Sequence, residues 1–349
     1  MSESNLQGLT CWLIDTRSLW PGQNIKDAVI QASDILHLLS ADEKDAVLRK
    51  MFIADAKMSL ASALLKRLYI SRALDIPWKD VRITRKGDPK HGKPCAALPK
   101  DCSVALDFNV SHQNGLVSLI GWKSTPGSST SSSSSAAEQV QVGTDIVCVN
   151  ERDDYRTIDA EGFDAWIDIY TDIFSEQERW DMKYTLDHIT LLNGLVLPGS
   201  SLNRLDRCID RNKPLSVTLP SGEQHTFCSD LIVEAKLRRF YSFFCYKEAF
   251  IKLSGEALLA PWLTDLEFQN VKSPLPGTQA RCSTHGTWGE RVTDVEVLLH
   301  GSKVEDVQMT LQAFEEDFML ATAVKGMEMM RVPEWKRLDL DSEVLAFAA

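Results

Sequence analysis

Two periodicities divide the chain. Residues 104–110, 116–122 and 140–149 are apolar runs of strand length. Gln113-Asn114-Gly115 separates the first two and signals a hairpin, because Asn-Gly accepts the positive φ values of a two-residue turn. Residues 42–74 carry a helical pattern. It starts at Ser40, an N-cap with Glu43 three residues on in the capping-box arrangement, and stops before Ile76-Pro77. Residues 58–68 are so rich in small and apolar side chains that one face must pack closely. Residues 163–184 predict one or two helices with Ser175 as a cap between them. Asp230–Ser254 is the strongest helix, with Ser229 as N-cap and Gly255 as its stop. Residues 289–299 and 309–323 are strand-like, and 193–224 is weakly patterned. A long helix and several strands in each half predict an α+β fold.

Composition narrows the class. The 349 residues are 44% apolar and 25% charged, as in ordinary globular proteins. No apolar run approaches the ~20 residues that span a bilayer. The polar start at residues 1–5 lacks the pattern of a signal peptide, so a cytoplasmic protein is expected. Eight cysteines without a Cys-x-x-Cys pair or zinc spacing are expected to be reduced. Lys plus Arg number 38 against 49 Asp plus Glu, a formal charge of −11. That argues against a general nucleic-acid binder and makes any anion site a local cluster. The serine run at 125–137 is either a linker or a surface-loop insertion. It divides the chain into 1–124, 125–137 and 138–349.

P-loop, dinucleotide, zinc-protease and nucleophile-elbow motifs are absent. Four segments remain. Asp145 interrupts an apolar strand, and a buried unpaired carboxylate is costly. It is therefore paired with a cation, exposed at a site, or placed at a strand end. Tyr241, Cys245, Glu248 and Lys252 form a row at i, i+4 spacing. That row is a surface pair or, given the surrounding aromatics, a buried pair needing partners. Ser111 and His112 stand at the mouth of the hairpin, free to bind a phosphate or to bond their own turn. The basic run 82–94 contains Arg85, Lys86 and Lys93 among glycines, as in a phosphate loop or a solvated one. Together the four suit metal-assisted phosphoryl chemistry, in which positioning and charge neutralisation dominate.

Order and spelling make the pattern specific. Gly92-Lys93-Pro94, Phe108-Asn109-Val110-Ser111-His112, Gly143-Thr144-Asp145-Ile146 and Lys247-Glu248-Ala249-Phe250-Ile251-Lys252 follow one another in the chain. From about residue 12 to 323 it resembles a 4′-phosphopantetheinyl transferase of the large, surfactin-synthetase-activating type. The wording at 142–152 and 255–263 is most similar to filamentous-fungal members.

The resemblance implies a pseudo-dimer of two similar α+β halves with coenzyme A in the cleft between them. The reaction it implies moves the phosphopantetheine arm to a carrier serine and leaves adenosine 3′,5′-bisphosphate. Asp145 and Glu248 would hold Mg²⁺ or Mn²⁺, Glu248 would also be the base, and Lys252 would neutralise charge. Ser111, His112 and Lys93 would contact phosphates, with Arg49 and Arg85 as further basic positions. Implied partners are carrier domains of polyketide synthases, nonribosomal peptide synthetases and aminoadipate reductase, with no nucleic acid or membrane, and a monomeric chain. Two departures stand out. Many bacterial members have Glu where Val147 stands, so water could fill that ligand position. Phe244 stands where Trp is frequent. A non-catalytic coenzyme A or nucleotide-binding protein of the same fold is the alternative, although Asp145, Glu248 and Lys252, which only catalysis requires, are all present.

Overall fold

Helices and strands are mixed as the patterning predicts. The computed structural model describes residues 8–88, 92–98, 102, 104–124, 140–149, 151, 153–255, 260–277, 286–326 and 331–348. The serine run 125–137 and part of the basic run, 89–91, lie outside them. The main elements are β1 (Gly8–Asp15), α1 (Ala41–Leu48), α2 (Ile53–Leu74), β2 (Leu106–Gln113), β3 (Leu116–Lys123) and β4 (Gln141–Cys148). They continue with α3 (Glu176–Tyr184), α4 (Asp230–Ser254), β5 (Trp288–Val292), β6 (Val307–Phe314), β7 (Phe318–Lys325) and β8 (Lys336–Arg337).

Two four-stranded sheets result, ordered β8-β1-β3-β2 and β5-β6-β7-β4. In the first, β3 runs antiparallel between β1 and β2, from Gly8↔Lys123 to Asp15↔Leu116 and from Leu106↔Lys123 to Gln113↔Leu116. In the second, β7 lies antiparallel between β6 and β4, with Asp145 opposite Ala321. Asn114 and Gly115 close the β2–β3 hairpin at φ 43° and 84°, both in the left-handed region that the tight turn needs.

Each sheet carries one long helix. α2 packs its small and apolar face on the first sheet, in a core of Leu64, Leu68, Tyr69, Trp12 and Phe108. α4 does the same on the second, with Phe240, Phe243, Tyr246, Ala249 and Met319. A third cluster, including Leu13, Ile120, Val142, Ile146 and Leu320, lies between the sheets. Among the described residues no helix is long and apolar enough to cross a membrane.

The structure departs from the pattern reading in four places. The expected helix 42–74 is two helices. α1 keeps the Ser40–Glu43 capping box, ends at Arg49, and α2 restarts at Ile53. The bend lets the Arg67 guanidinium on α2 meet Glu43 on α1 at 2.7 Å. Neither strand-like run of the tail is one strand: 289–299 divides between β5 and a separate strand, Glu296–Leu299, in another sheet, and 309–323 is a hairpin, turned where Glu315 takes φ 54°. Ser229 does not cap α4 with its side chain, because its hydroxyl donates to the Asp210 carbonyl. The final segment, counted with residues 138–349, returns to the first half: β8 pairs in parallel with β1, and Leu338, Leu340 and Val344 enter the α2 core.

That return gives a stability prediction. Leu340 is far in sequence from the core it fills, so Leu340→Ala should cost about 2–5 kcal/mol, as other large-to-small core changes do. Urea unfolding would measure it. A change within experimental error would show the segment undocked.

Candidate functional site

The two sheets meet edge to edge at β2 and β4, which are not partners in either main-chain ladder. β2 carries polar residues at every second position, Asp107, Asn109 and Ser111, and strand geometry puts them on one face. All three are buried. Asp107 Oδ2 accepts the Val142 N–H at 2.9 Å, and Asn109 Oδ1 accepts the Thr144 N–H at 3.1 Å. The Ser111 hydroxyl donates to Asp145 Oδ1 at 2.8 Å. Side chains of one edge strand thus satisfy the open main chain of another.

At the Ser111 end of this seam α4 completes the site. The Lys252 ammonium donates to Asp145 Oδ1 at 2.6 Å and to Ser111 Oγ at 2.9 Å. Glu248 lies one helical turn before Lys252. Burial works to lower the Lys252 pKa, but the Asp145 and Glu248 carboxylates outweigh it and hold the group above its ordinary value of 10.5. Lys252 is therefore charged at neutral pH.

Gly143 makes the helix approach possible. A Cβ there would stand 2.1 Å from the Ala249 carbonyl oxygen and 2.7 Å from the Leu253 nitrogen. Gly143 and Asp145 share a face of β4, so the contact that demands glycine also sets Lys252 over Asp145. Lys247 has a separate task. It is fully buried and donates to the Ile173 carbonyl at 2.7 Å, Glu178 Oε2 at 2.8 Å and the Leu263 carbonyl at 3.1 Å. It fixes α4 against α3.

The other basic positions separate into two groups. His112 stands at the end of β2. Loss of solvation, and then the nearby Lys252, Lys50 and Lys66 ammonium groups, hold its imidazole below 6.5. Arg85 lies close enough to Lys66 to depress it further, after burial has done most of that. Lys50 and Lys66 were not singled out from sequence. Arg49 is not brought to this group: it is exposed and pairs with Asp45 on its own helix at 3.3 Å. Lys93 is not an open phosphate donor either. It is buried, ion-paired with Asp107, and donates to the Val142 carbonyl at 2.7 Å. At that end of the seam a cavity of about 440 Å³ is lined by Lys86, Gly92, Lys93, Asp107, Gln141 and Gly255.

The donor set for a cation consists of hard oxygens. Both hydrogen bonds to Asp145 end on Oδ1, so Oδ2 receives none from the described residues. With Glu248 on the facing helix, two carboxylates are at hand, and Mg²⁺ commonly uses one or two plus phosphate oxygens and waters. Among the described residues no three His, Cys, Asp or Glu side chains cluster as a metal site by themselves. Val147 is buried in the apolar core against α4. Phe244 likewise packs within that core, against Phe240 and Tyr241.

This arrangement, a buried carboxylate with a lysine, a serine hydroxyl and a second carboxylate at the junction of two sheets, suits transfer of a phosphoryl-type group. Comparison with known proteins agrees. Residues 28–124 match the family described as "4′-phosphopantetheinyl transferase, N-terminal". The chain is 72% identical to a 4′-phosphopantetheinyl transferase of Aureobasidium melanogenum over the whole length of both. It is 35% identical to 4′-phosphopantetheinyl transferase A of Aspergillus fumigatus, over 92% of this chain and 84% of the relative. With the L-aminoadipate-semialdehyde dehydrogenase-phosphopantetheinyl transferase of Schizosaccharomyces pombe it shares 33% identity over 39% of this chain and 46% of the relative. The chain belongs to the 4′-phosphopantetheinyl transferase family.

The glycine contact is directly testable. Gly143→Ala should push α4 off β4, destabilise the protein by about 1–3 kcal/mol as overpacking does, and lower transferase activity. Thermal unfolding together with an activity assay would measure both. Unchanged values would mean the helix has room that the geometry denies.

Proposed function

We propose that this chain moves the 4′-phosphopantetheine arm of coenzyme A to a serine hydroxyl of acyl or peptidyl carrier domains, releasing adenosine 3′,5′-bisphosphate. The observation carrying this reading is the Ser111–Asp145–Lys252 triangle beside Glu248. The architecture is proposed to be a pseudo-dimer with its active site between the halves. Strand order supports this, since β1-β3-β2 and β4-β7-β6 have the same connectivity, each with its long helix after the first strand.

The chemistry breaks the phosphoanhydride P–O bond of coenzyme A and forms a P–O bond to the carrier serine. Glu248 takes the serine proton. Lys252, held charged, offsets the negative charge that develops on the leaving bisphosphate. His112 donates to phosphate oxygens beside Ser111, whose hydroxyl is committed to Asp145, and Lys50, Lys66 and Arg85 add positive charge along the same wall. Mg²⁺ or Mn²⁺ held by Asp145 and Glu248 would supply further neutralisation at the pyrophosphate. Carrier domains of polyketide synthases, nonribosomal peptide synthetases and aminoadipate reductase are the proposed acceptors. The last is supported by the name of the fission-yeast relative. A cytoplasmic monomer is proposed.

Mass spectrometry of an apo carrier domain incubated with the protein, coenzyme A and Mg²⁺ tests the reading: a mass gain equal to phosphopantetheine is expected, and no gain would reject it. Asp145→Asn should keep the fold and lose most transfer. Glu248→Gln should be at least as damaging, because it removes both a metal ligand and the base.

Binding should also be linked to pH through His112. In the free protein its pKa lies below 6.5, and a bound phosphate would raise it. Coenzyme A binding should therefore take up a proton, and affinity should rise as pH falls from 7 toward the free-protein value. Calorimetry in buffers of different ionisation enthalpy would measure the uptake. His112→Gln should reduce it to what coenzyme A itself contributes; equal uptake in both proteins would remove His112 from the phosphate site.

A further inference from the structure

Lys93 and Asp107 stand at the opposite end of the seam from Lys252, and together they reproduce what a neighbouring strand would offer. Asp107 Oδ2 accepts the Val142 N–H at 2.9 Å, and the Lys93 ammonium donates to the Val142 carbonyl at 2.7 Å. Both side chains are buried, and the two are ion-paired through Asp107 Oδ2. Lys86 adds a contact to Asp107 Oδ1 at 3.2 Å. The ion pair thus closes both main-chain groups of one residue on an edge strand that has no ladder partner on that side. Two residues further along each strand, Asn109 holds Thr144. Two further along β2, Ser111 holds Asp145. The spacing is fixed by the pleat, so the pair that grips Val142 sets where Ser111 falls along β4.

We propose that Lys93 and Asp107 are positioning residues that register β2 against β4 and so hold Ser111 on Asp145, rather than contacts to the phosphates of coenzyme A. The inference rests on the transferase reading of the Asp145 site. It assigns the lysine of Gly92-Lys93-Pro94 a task that its motif alone does not suggest. One physical reason is stoichiometric. A lysine ammonium has three donors; Asp107 and Val142 take two of them within the protein interior. Releasing Lys93 to a phosphate would leave the buried Asp107 carboxylate without its closest cation, which is costly.

Lys93→Met keeps the stem and removes the ammonium. Asp107→Asn keeps an acceptor for the Val142 N–H and removes the charge. Each should lower kcat at saturating coenzyme A about tenfold, the loss expected for one charge-assisted bond, while the Kd for coenzyme A stays within about threefold. The double variant should cost no more than the worse single one, because both remove the same pair. Amide exchange at Val142 and Thr144 should speed up in both variants, whether or not arm transfer is assayed. Should Asp107→Asn not fold, Lys93→Met carries the same comparison.

Two results would overturn the proposal. One is a rise of tenfold or more in Kd for Lys93→Met with kcat kept, which would make Lys93 a phosphate contact. The other is wild-type kcat and wild-type exchange in both variants, which would leave the pair nothing to position. If the wild-type protein transferred no arm at all, the transferase reading would fail by itself, and exchange at Val142 would still decide the role of the pair.

Discussion

An edge strand in a sheet leaves half its main-chain N–H and C=O groups without partners, and burying them unpaired is costly. This protein buries two such edges against each other. It meets the requirement with side chains, because β2 and β4 form no common ladder. Asp107 and Asn109 accept the open N–H groups of Val142 and Thr144, Lys93 donates to the Val142 carbonyl, and Ser111 continues the row onto the Asp145 carboxylate. The apolar cluster beneath, with Leu13, Ile120, Val142 and Leu320, gives the junction its burial. The polar face gives it register. The rest of the site follows from that register, since Ser111 belongs to one sheet and Asp145 to the other.

Charge is handled locally and in pairs. A chain of formal charge −11 has an unfavourable global field for an anionic ligand. Lys252, Lys50, Lys66, Arg85 and His112 nevertheless gather on one wall, and their mutual repulsion shows in the lowered pKa values of Lys66 and His112. Burial is the larger cause for both. Lys252 differs because Asp145 and Glu248 stand beside it. The same fold keeps other buried charges away from the chemistry. Lys247 with Glu178, and Arg67 with Glu43, are bonds between elements. Two lysines five residues apart on one helix can thus differ in role by the face they occupy: Lys247 is sunk into the interior, while Lys252 opens on the seam.

Much of this was legible in the sequence. The hairpin came from Asn114-Gly115, α4 and its stop from Gly255, and the α1 cap from Ser40 and Glu43. Asp145 stood out as a carboxylate inside an apolar strand, Ser111 by its place at the hairpin mouth and Lys252 by its row with Glu248, while the roles expected of them came from the family resemblance. Other features of the site have no local signal in the sequence. A basic residue in a glycine-bearing loop reads as open to solvent, and nothing local to Lys93 announces Asp107, which lies across a turn and on another strand. Arg49 was named and Lys50 was not, and the structure leaves Arg49 paired with Asp45 on its own helix while Lys50 stands near His112. The alternation Asp107, Asn109, Ser111 was the signal for the seam. It was visible as a period of two, but its partner was the main chain of β4, which carries no sequence signature. The β6–β7 turn was missed because Glu315, an unusual residue for positive φ, is held there through tertiary contacts: its carboxylate takes the Arg17 guanidinium at 2.7 Å.

The central claim is that the β2–β4 seam, completed by α4, is where the pyrophosphate and its metal meet. Manganese bound with coenzyme A in a crystal of this protein would locate that point through its anomalous scattering. The account predicts one strong peak between Asp145 and Glu248, next to the pyrophosphate. A peak away from both carboxylates, with coenzyme A bound, would contradict it.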